Sequence, residues 1–323
     1  MTRRASFVSL VCLVPLVALA GCVDLSDTTA VSGDAEQGVS TTTYGELSDY
    51  SKLGVDQWFA DVRSLNTEFG NACGDTFCGG DWSNLTPMSF ACSVTEKLGS
   101  IQSCAWTFSA SQIVVDPTTS TLQTNLATFV CPIKVKSTAV KFSALLASTT
   151  DPLHVAIPGY ATINEQLAGC FDHPIGATPI VAGPQTPVTY VAASDYYTSA
   201  PSRAKWAAAQ KGLLDGFNNI CGDTFCGSDF GDLQSLQFEC SVTKSSGNIK
   251  SCAWVFGGSF SEVDPARGTL SETSKNFRCN VPVKGTLPQL VAVLTAAGPQ
   301  PASDRILPGE TTSAYDALGG CLP

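Results

Sequence analysis

The sequence predicts an α+β fold built twice: two tandem, disulfide-stapled domains, each a helix packed on an antiparallel sheet of three or more strands, with further helices at its C-terminal end. Three observations carry this expectation. Cys73, Cys78, Cys92, Cys104 and Cys131 recur 148 residues later as Cys221, Cys226, Cys240, Cys252 and Cys279, and Cys170 recurs as Cys321 with three extra residues inserted. Between residues 71–108 and 219–256, 22 of 38 positions are identical. A helical stripe followed by strand-like alternation appears in both copies. A period this long fits tandem globular units rather than a short-repeat solenoid.

Each copy opens on a helix. Trp58, Val62, Leu65 and Phe69 fall on one helical face, and Trp206, Leu213 and Phe217 repeat most of that stripe. Ser202, after Pro201, is the expected N-cap of the second helix. Three strands follow. Phe90, Cys92 and Val94 share a face, as do Cys104, Trp106 and Phe108, then Phe129, Cys131, Ile133 and Val135. The second copy repeats this with Phe238, Cys240 and Val242, then Cys252, Trp254 and Phe256, then Phe277, Cys279, Val281 and Val283. Period two with one apolar face predicts an antiparallel sheet covered on one side, with the leading helix as cover. Trp106 and Trp254 then belong to the core. Residues 139–148 and 288–297 read as helices, and a shorter helical piece precedes Cys170 and Cys321.

The turns at residues 97–100 and 245–248 fix one disulfide per copy. A hairpin centred near Leu98 sets Cys92 opposite Cys104, and its counterpart sets Cys240 opposite Cys252. Cys73 with Cys78, and Cys221 with Cys226, would close short loops. That leaves Cys131 for Cys170 and Cys279 for Cys321. Six cysteines allow fifteen pairings, and only the hairpin bridge follows from strand geometry. Metal thiolates are the competing reading, but a zinc ribbon needs paired C-x2-C spacings that this framework lacks.

The sequence divides into residues 1–21, a targeting segment; 22–40, a Ser/Thr/Gly-rich tether; 41–170, the first repeat; 171–186, a linker with Pro174, Pro179 and Pro184; and 187–323, the second repeat. Each repeat is large enough for its own core. In the targeting segment Arg3 and Arg4 precede an apolar stretch too short for a comfortable membrane span. It ends in Leu19-Ala20-Gly21-Cys22. This resembles the lipobox of bacterial lipoproteins. The resemblance implies cleavage before Cys22, lipidation of Cys22 and a stable membrane anchor through two or three acyl chains. Val23 after the lipidated cysteine points to the outer membrane or cell surface. Of the 14 cysteines, Cys12 leaves with the signal and Cys22 takes lipid, so twelve remain, six per repeat. Even counts in an exported chain read as disulfides.

Loss of Arg3 and Arg4 leaves 16 basic against 28 acidic residues, a net charge of −12. Such a surface argues against nucleic acid as a partner. The expected partners are the membrane, through the anchor, and a protein or glycan ligand.

Candidate chemistry centres on the repeated loops at residues 73–82 and 221–230. Asp75 and Asp81 match Asp223 and Asp229, each second aspartate being followed by an aromatic residue, Trp82 or Phe230. Two carboxylates on a Gly-rich loop suit Ca²⁺, but the spacing matches no EF-hand, and Asx-type hydrogen bonding to loop N–H groups is the favoured reading. No cofactor or metal is otherwise expected. Trp82 and Phe230 are candidate contact residues on a rigid, solvent-facing loop. The two histidines, His154 and His173, have no partner in the second copy, and G-x-S-x-G, H-E-x-x-H and P-loop motifs are absent. No catalytic residue is assigned. Asp116-Pro117 and Asp264-Pro265 match across copies and read as turns. The helix-on-sheet layout is similar to cystatin-like and NTF2-like α+β folds, a likeness that carries no function. Three readings stand: a binding or structural lipoprotein of the cell envelope, an inhibitor of an exogenous protease- or lysozyme-type hydrolase, and a carboxylate-dependent hydrolase built on Asp75, Asp81 and Asp116.

Overall fold

The structure, a computed structural model, describes residues 42–76, 82, 84–178, 180, 186–224 and 230–322. Cys22 and the tether lie outside the described residues, as do Cys78, Asp81, Cys226 and Asp229. From residue 41 to the C-terminus the chain is one compact unit.

The first repeat runs β1 (Tyr44–Glu46), α1 (Val55–Thr76), β2 (Thr86–Thr95), β3 (Ile101–Val115), β4 (Leu122–Ile133), α2 (Ala139–Ala147) and α3 (Ile163–Leu167). The second runs β5 (Tyr190–Ala192), α4 (Ala193–Tyr196), α5 (Ala200–Thr224), β6 (Gln234–Thr243), β7 (Ile249–Val263), β8 (Leu270–Val281), α6 (Leu287–Leu294) and α7 (Ala314–Leu318). Each repeat forms a four-stranded antiparallel sheet, ordered β1-β2-β3-β4 and β5-β6-β7-β8. The predicted three strands gain a short edge strand ahead of the helix. Among the described residues no helix is long and apolar enough to cross a membrane.

The helical stripe buries Trp58, Leu65, Phe69 and Cys73 in the first repeat, and Trp206, Ala209, Leu213 and Phe217 in the second. Val62 is only half-buried, and Asp61 is buried in its place, accepting from Gln57 Nε2 at 2.9 Å. Burial holds the Asp61 carboxyl above its ordinary range. The strand faces named from the sequence close each core. Phe69 packs on Trp106 and Phe108, and Phe217 on Trp254 and Phe256. Both tryptophans on the central strands are fully buried.

Register follows the hairpins. Cys92 pairs with Cys104 and Cys240 with Cys252, and both pairs are disulfides. Cys131–Cys170 and Cys279–Cys321 tie the last strand of each sheet to the chain after its final helix. Cys73 is disulfide-bonded as well. The turns need glycine: Gly99 and Gly247 have φ of 64° and 68°, and a Cβ there would meet the rings of Tyr50 and Tyr196.

Three expectations are corrected. Helix α5 starts before Ser202, and the Ser199 hydroxyl accepts from the Ser202 N–H. Pro201 fits the first turn because it has no N–H to satisfy there. Helices α1 and α5 continue to Thr76 and Thr224, so Cys73, Gly74 and Asp75 end a helix rather than open a loop. The third correction concerns the second face of each sheet. The sequence predicts cover on one side only. In the structure the free faces of the two sheets pack on each other, giving four layers: helices, sheet, sheet, helices. Many of the residues on those faces, such as Thr107, Ser109, Ser111 and Ser259, are small and polar, which in an alternating strand reads as solvent-facing. Here their small size admits a second sheet, and their hydroxyls bond across it. The start of the segment assigned as linker also packs on the first repeat. Phe171 stacks edge-on to Phe108 and Phe129, and Ile175 exchanges backbone hydrogen bonds with Thr128.

Candidate functional site

The seam between the sheets is built from matched residues of the two repeats. Ser111 Oγ donates to Gln237 Oε1 at 3.2 Å. Their counterparts in the other repeat, Ser259 and Ser89, are hydrogen-bonded at 2.9 Å. Ser111 N–H donates to Asn84 Oδ1 at 3.0 Å, and Ser259 N–H donates to Asp232 Oδ1 at 2.6 Å. Thr128 and Asn276, themselves counterparts, meet at 3.3 Å. At the ends, Tyr44 N–H donates to Pro265 O and Tyr190 N–H to Pro117 O, both at 3.0 Å. Each exchange is the mirror of another, as in an isologous dimer interface. The two Asp-Pro turns of the sequence are therefore the docking points for the opposite repeat's first strand.

This symmetry breaks at the two flanks of the seam. One flank is apolar: Ile113, Val115, Leu122, Ala192, Ala253 and Val255 form a buried cluster. On the other flank Ser261 stands where the first has Ile113, Thr107 where it has Val255, Glu272 where it has Thr124, and Glu46 where it has Ala192. Asp232 joins them in place of Asn84. Glu272 accepts from Ser261 Oγ at 2.8 and 2.9 Å and from Thr107 Oγ1 at 3.2 Å. Asp232 also accepts from Ser259 Oγ.

Burial, reinforced by the negative charges of Asp232 and Glu46, pushes the Glu272 carboxyl up to about 7 against the pull of its hydroxyl donors. Burial raises Asp232 despite its bonds to Ser259, and burial followed by the charge of Asp49 raises Glu46. Among the described residues no cation pairs with any of the three. Carboxylates raised by burial, two of them at the edge of a cavity, mark a functional candidate. That cavity, about 430 Å³, lies between α1, β2 and the seam. Trp58, Phe59, Val62, Met88 and Phe90 supply its apolar wall; Glu46, Arg63, Asn66, Ser89, Asp232 and Ser261 supply polar groups.

The residues singled out from the sequence fall elsewhere. Trp82 and Phe230 are half-buried at the rim of the two cores. Trp82 stands edge-on to Phe129 at 6.1 Å, and Phe230 edge-on to Phe277 at 5.9 Å. The Lys275 ammonium lies 4.9 Å from the Phe277 ring centroid and 5.9 Å from that of Phe230. Asp75 and Asp223 sit on the last turns of α1 and α5; their side chains, like Asp81 and Asp229, fall outside the described residues. Among the described residues no group of His, Cys, Asp and Glu could hold a metal ion. Asp116 is committed to its turn: it accepts from Thr119 N–H, the Thr118 hydroxyl and Thr118 N–H, which lower its carboxyl to about 2. Asp264 does the same for Ala266 N–H and Arg267 N–H and is likewise lowered. The hydrolase reading thereby loses Asp116 as a free acid or base.

Glu46, Asp232 and Glu272 carried a signal that a reading of motifs misses. Each is a carboxylate whose repeat counterpart is uncharged, visible once the copies are aligned.

Compared with known protein families, with curated proteins and with solved structures, the chain matches none.

Proposed function

We propose that the protein is a lipid-anchored lipoprotein of the bacterial cell envelope, held at the outer membrane or cell surface, where its duplicated body has a binding or structural role. One observation carries the reading: the lipobox Leu19-Ala20-Gly21-Cys22 precedes a chain whose remaining cysteines form two matched sets, leaving Cys22 without a counterpart. The disulfides Cys92–Cys104, Cys131–Cys170, Cys240–Cys252 and Cys279–Cys321 support an oxidising compartment. Acyl chains on Cys22 would each contribute about 0.8 kcal/mol per buried methylene, enough in pairs for stable anchoring. A body stapled on both sides of a shared seam suits a rigid binding surface, with a protein or glycan as ligand.

Detergent phase partition of the wild type and of Cys22→Ser tests the anchor. The wild type is expected in the detergent phase with a mass that includes the acyl chains. Cys22→Ser is expected in the aqueous phase or uncleaved. Unchanged mass and partitioning in the variant would contradict the proposal.

A further inference from the structure

The cavity on the acidic flank is open because the first repeat has small side chains where the second has long ones. Val62 and Ala91 line it, and their counterparts are Gln210 and Glu239. Both are held within the second repeat. Gln210 Nε2 donates to Phe238 O at 2.8 Å. Glu239 is buried, accepts from Ala193 N–H and Cys240 N–H at 2.9 Å, and bonds Ser194. Ser194 is the counterpart of Ser48, which lines the open cavity. Ser48 instead bonds the side chain of Glu46 at the cavity's edge, and the space over Ala91, which the Glu239 side chain takes in the second repeat, stays open.

The polar groups around that space are mainly acceptors. Glu46 and Asp232 are half-buried carboxylates with no ion-pair partner among the described residues, and Arg63, exposed on α1, is the basic residue of the lining. Asn66, where the second repeat has Leu214, holds its Oδ1 buried with no hydrogen-bond partner. A buried acceptor without a donor is costly, and so is a desolvated carboxylate without a counter-charge. A ligand that brings several N–H donors and one positive charge relieves both. Trp58, Phe59 and Met88 of the same lining offer apolar surface and aromatic faces to the rest of such a molecule. The volume suits a small molecule rather than a peptide segment.

We infer that this cavity is a binding site for a small organic amine, with its ammonium group toward Glu46, Asp232 and Asn66 and its apolar body against Trp58, Phe59 and Met88. The site belongs to the first repeat alone, since Glu239 supplies its own carboxylate to the matching space in the second. It is independent of the anchor: titration of the purified protein reads the cavity, and phase partition reads Cys22.

Isothermal titration with phenethylamine and with its neutral isostere 2-phenylethanol tests the inference. The amine is expected to bind at least about tenfold more tightly than the alcohol. Asp232→Asn copies Asn84 of the first repeat, and Asn66→Leu copies Leu214 of the second. Each is expected to weaken amine binding by about tenfold or more while the thermal midpoint holds. No amine binding into the millimolar range, equal binding of the alcohol, or unchanged affinity in Asp232→Asn would overturn it. The comparison of the two probes on the unaltered protein decides the matter even if a variant fails to fold.

Discussion

Gly257 lies against Ser109 at the middle of the seam: a Cβ on Gly257 would sit 2.5 Å from the Ser109 Cβ and Oγ. These two are themselves counterparts, and the sheets approach tightly here because one of the pair has no side chain. Ser109 is buried and its hydroxyl bonds Asn276 at 3.2 Å. Gly257→Ala is therefore expected to force the sheets apart locally and to destabilise the fold by about 1–3 kcal/mol, as overpacking does. Ser109→Gly in the Gly257→Ala background should restore much of that loss. Urea titration of the wild type and the two variants checks it; a neutral Gly257→Ala would show that the sheets are not in close contact there.

Stability should fall as pH rises across neutrality. The Glu272 carboxyl is raised in the folded protein, from an ordinary 4.5 to about 7. The folded state holds the proton more tightly than the unfolded state. This contribution is complete below the unfolded value and is lost as pH climbs through the folded one. At a half-buried position the expected loss between about pH 5 and about pH 8 is on the order of 1–2 kcal/mol after allowance for solvent. Glu272→Gln should flatten that part of the slope. Urea midpoints of wild type and variant at both pH values measure it, and parallel slopes would contradict the assignment.

The two kinds of disulfide should differ in weight. Cys131–Cys170 closes a separation of 39 residues and Cys92–Cys104 one of 12. By chain entropy these correspond to about 4 and about 3 kcal/mol. Paired cysteine-to-alanine replacement is expected to cost more at Cys131 and Cys170 than at Cys92 and Cys104, read from denaturant midpoints. The reverse order would show that the hairpin bridge does more than close a loop.

Much of each repeat was legible in the sequence, because the cues were local. The stripe from Trp58 to Phe69, the alternation around Cys104-Ala105-Trp106 and the turn at Gly99 each depend on a few neighbouring residues. The seam was not legible. Thr107, Ser109 and Ser111 occupy the outward phase of their strand, and a serine there looks the same whether it meets water or another serine. Only partners far along the chain distinguish the cases, as Gln237 does for Ser111 from 126 residues away. The acidic flank was hidden for a related reason. Glu46, Asp232 and Glu272 come from three distant segments and meet only because the sheets stack. By contrast Asp116, prominent in the sequence because its Asp-Pro recurs, spends its carboxylate on its own turn.

The two repeats form one body through this seam, and the radius of gyration of residues 41–323 in solution measures this. Small-angle X-ray scattering should give about 19 Å, the value for a single compact unit of that length. Two repeats swinging separately on a Pro-rich linker would give about 23 Å or more. That larger value would contradict the stacked sheets and, with them, the acidic flank between Glu46, Asp232 and Glu272.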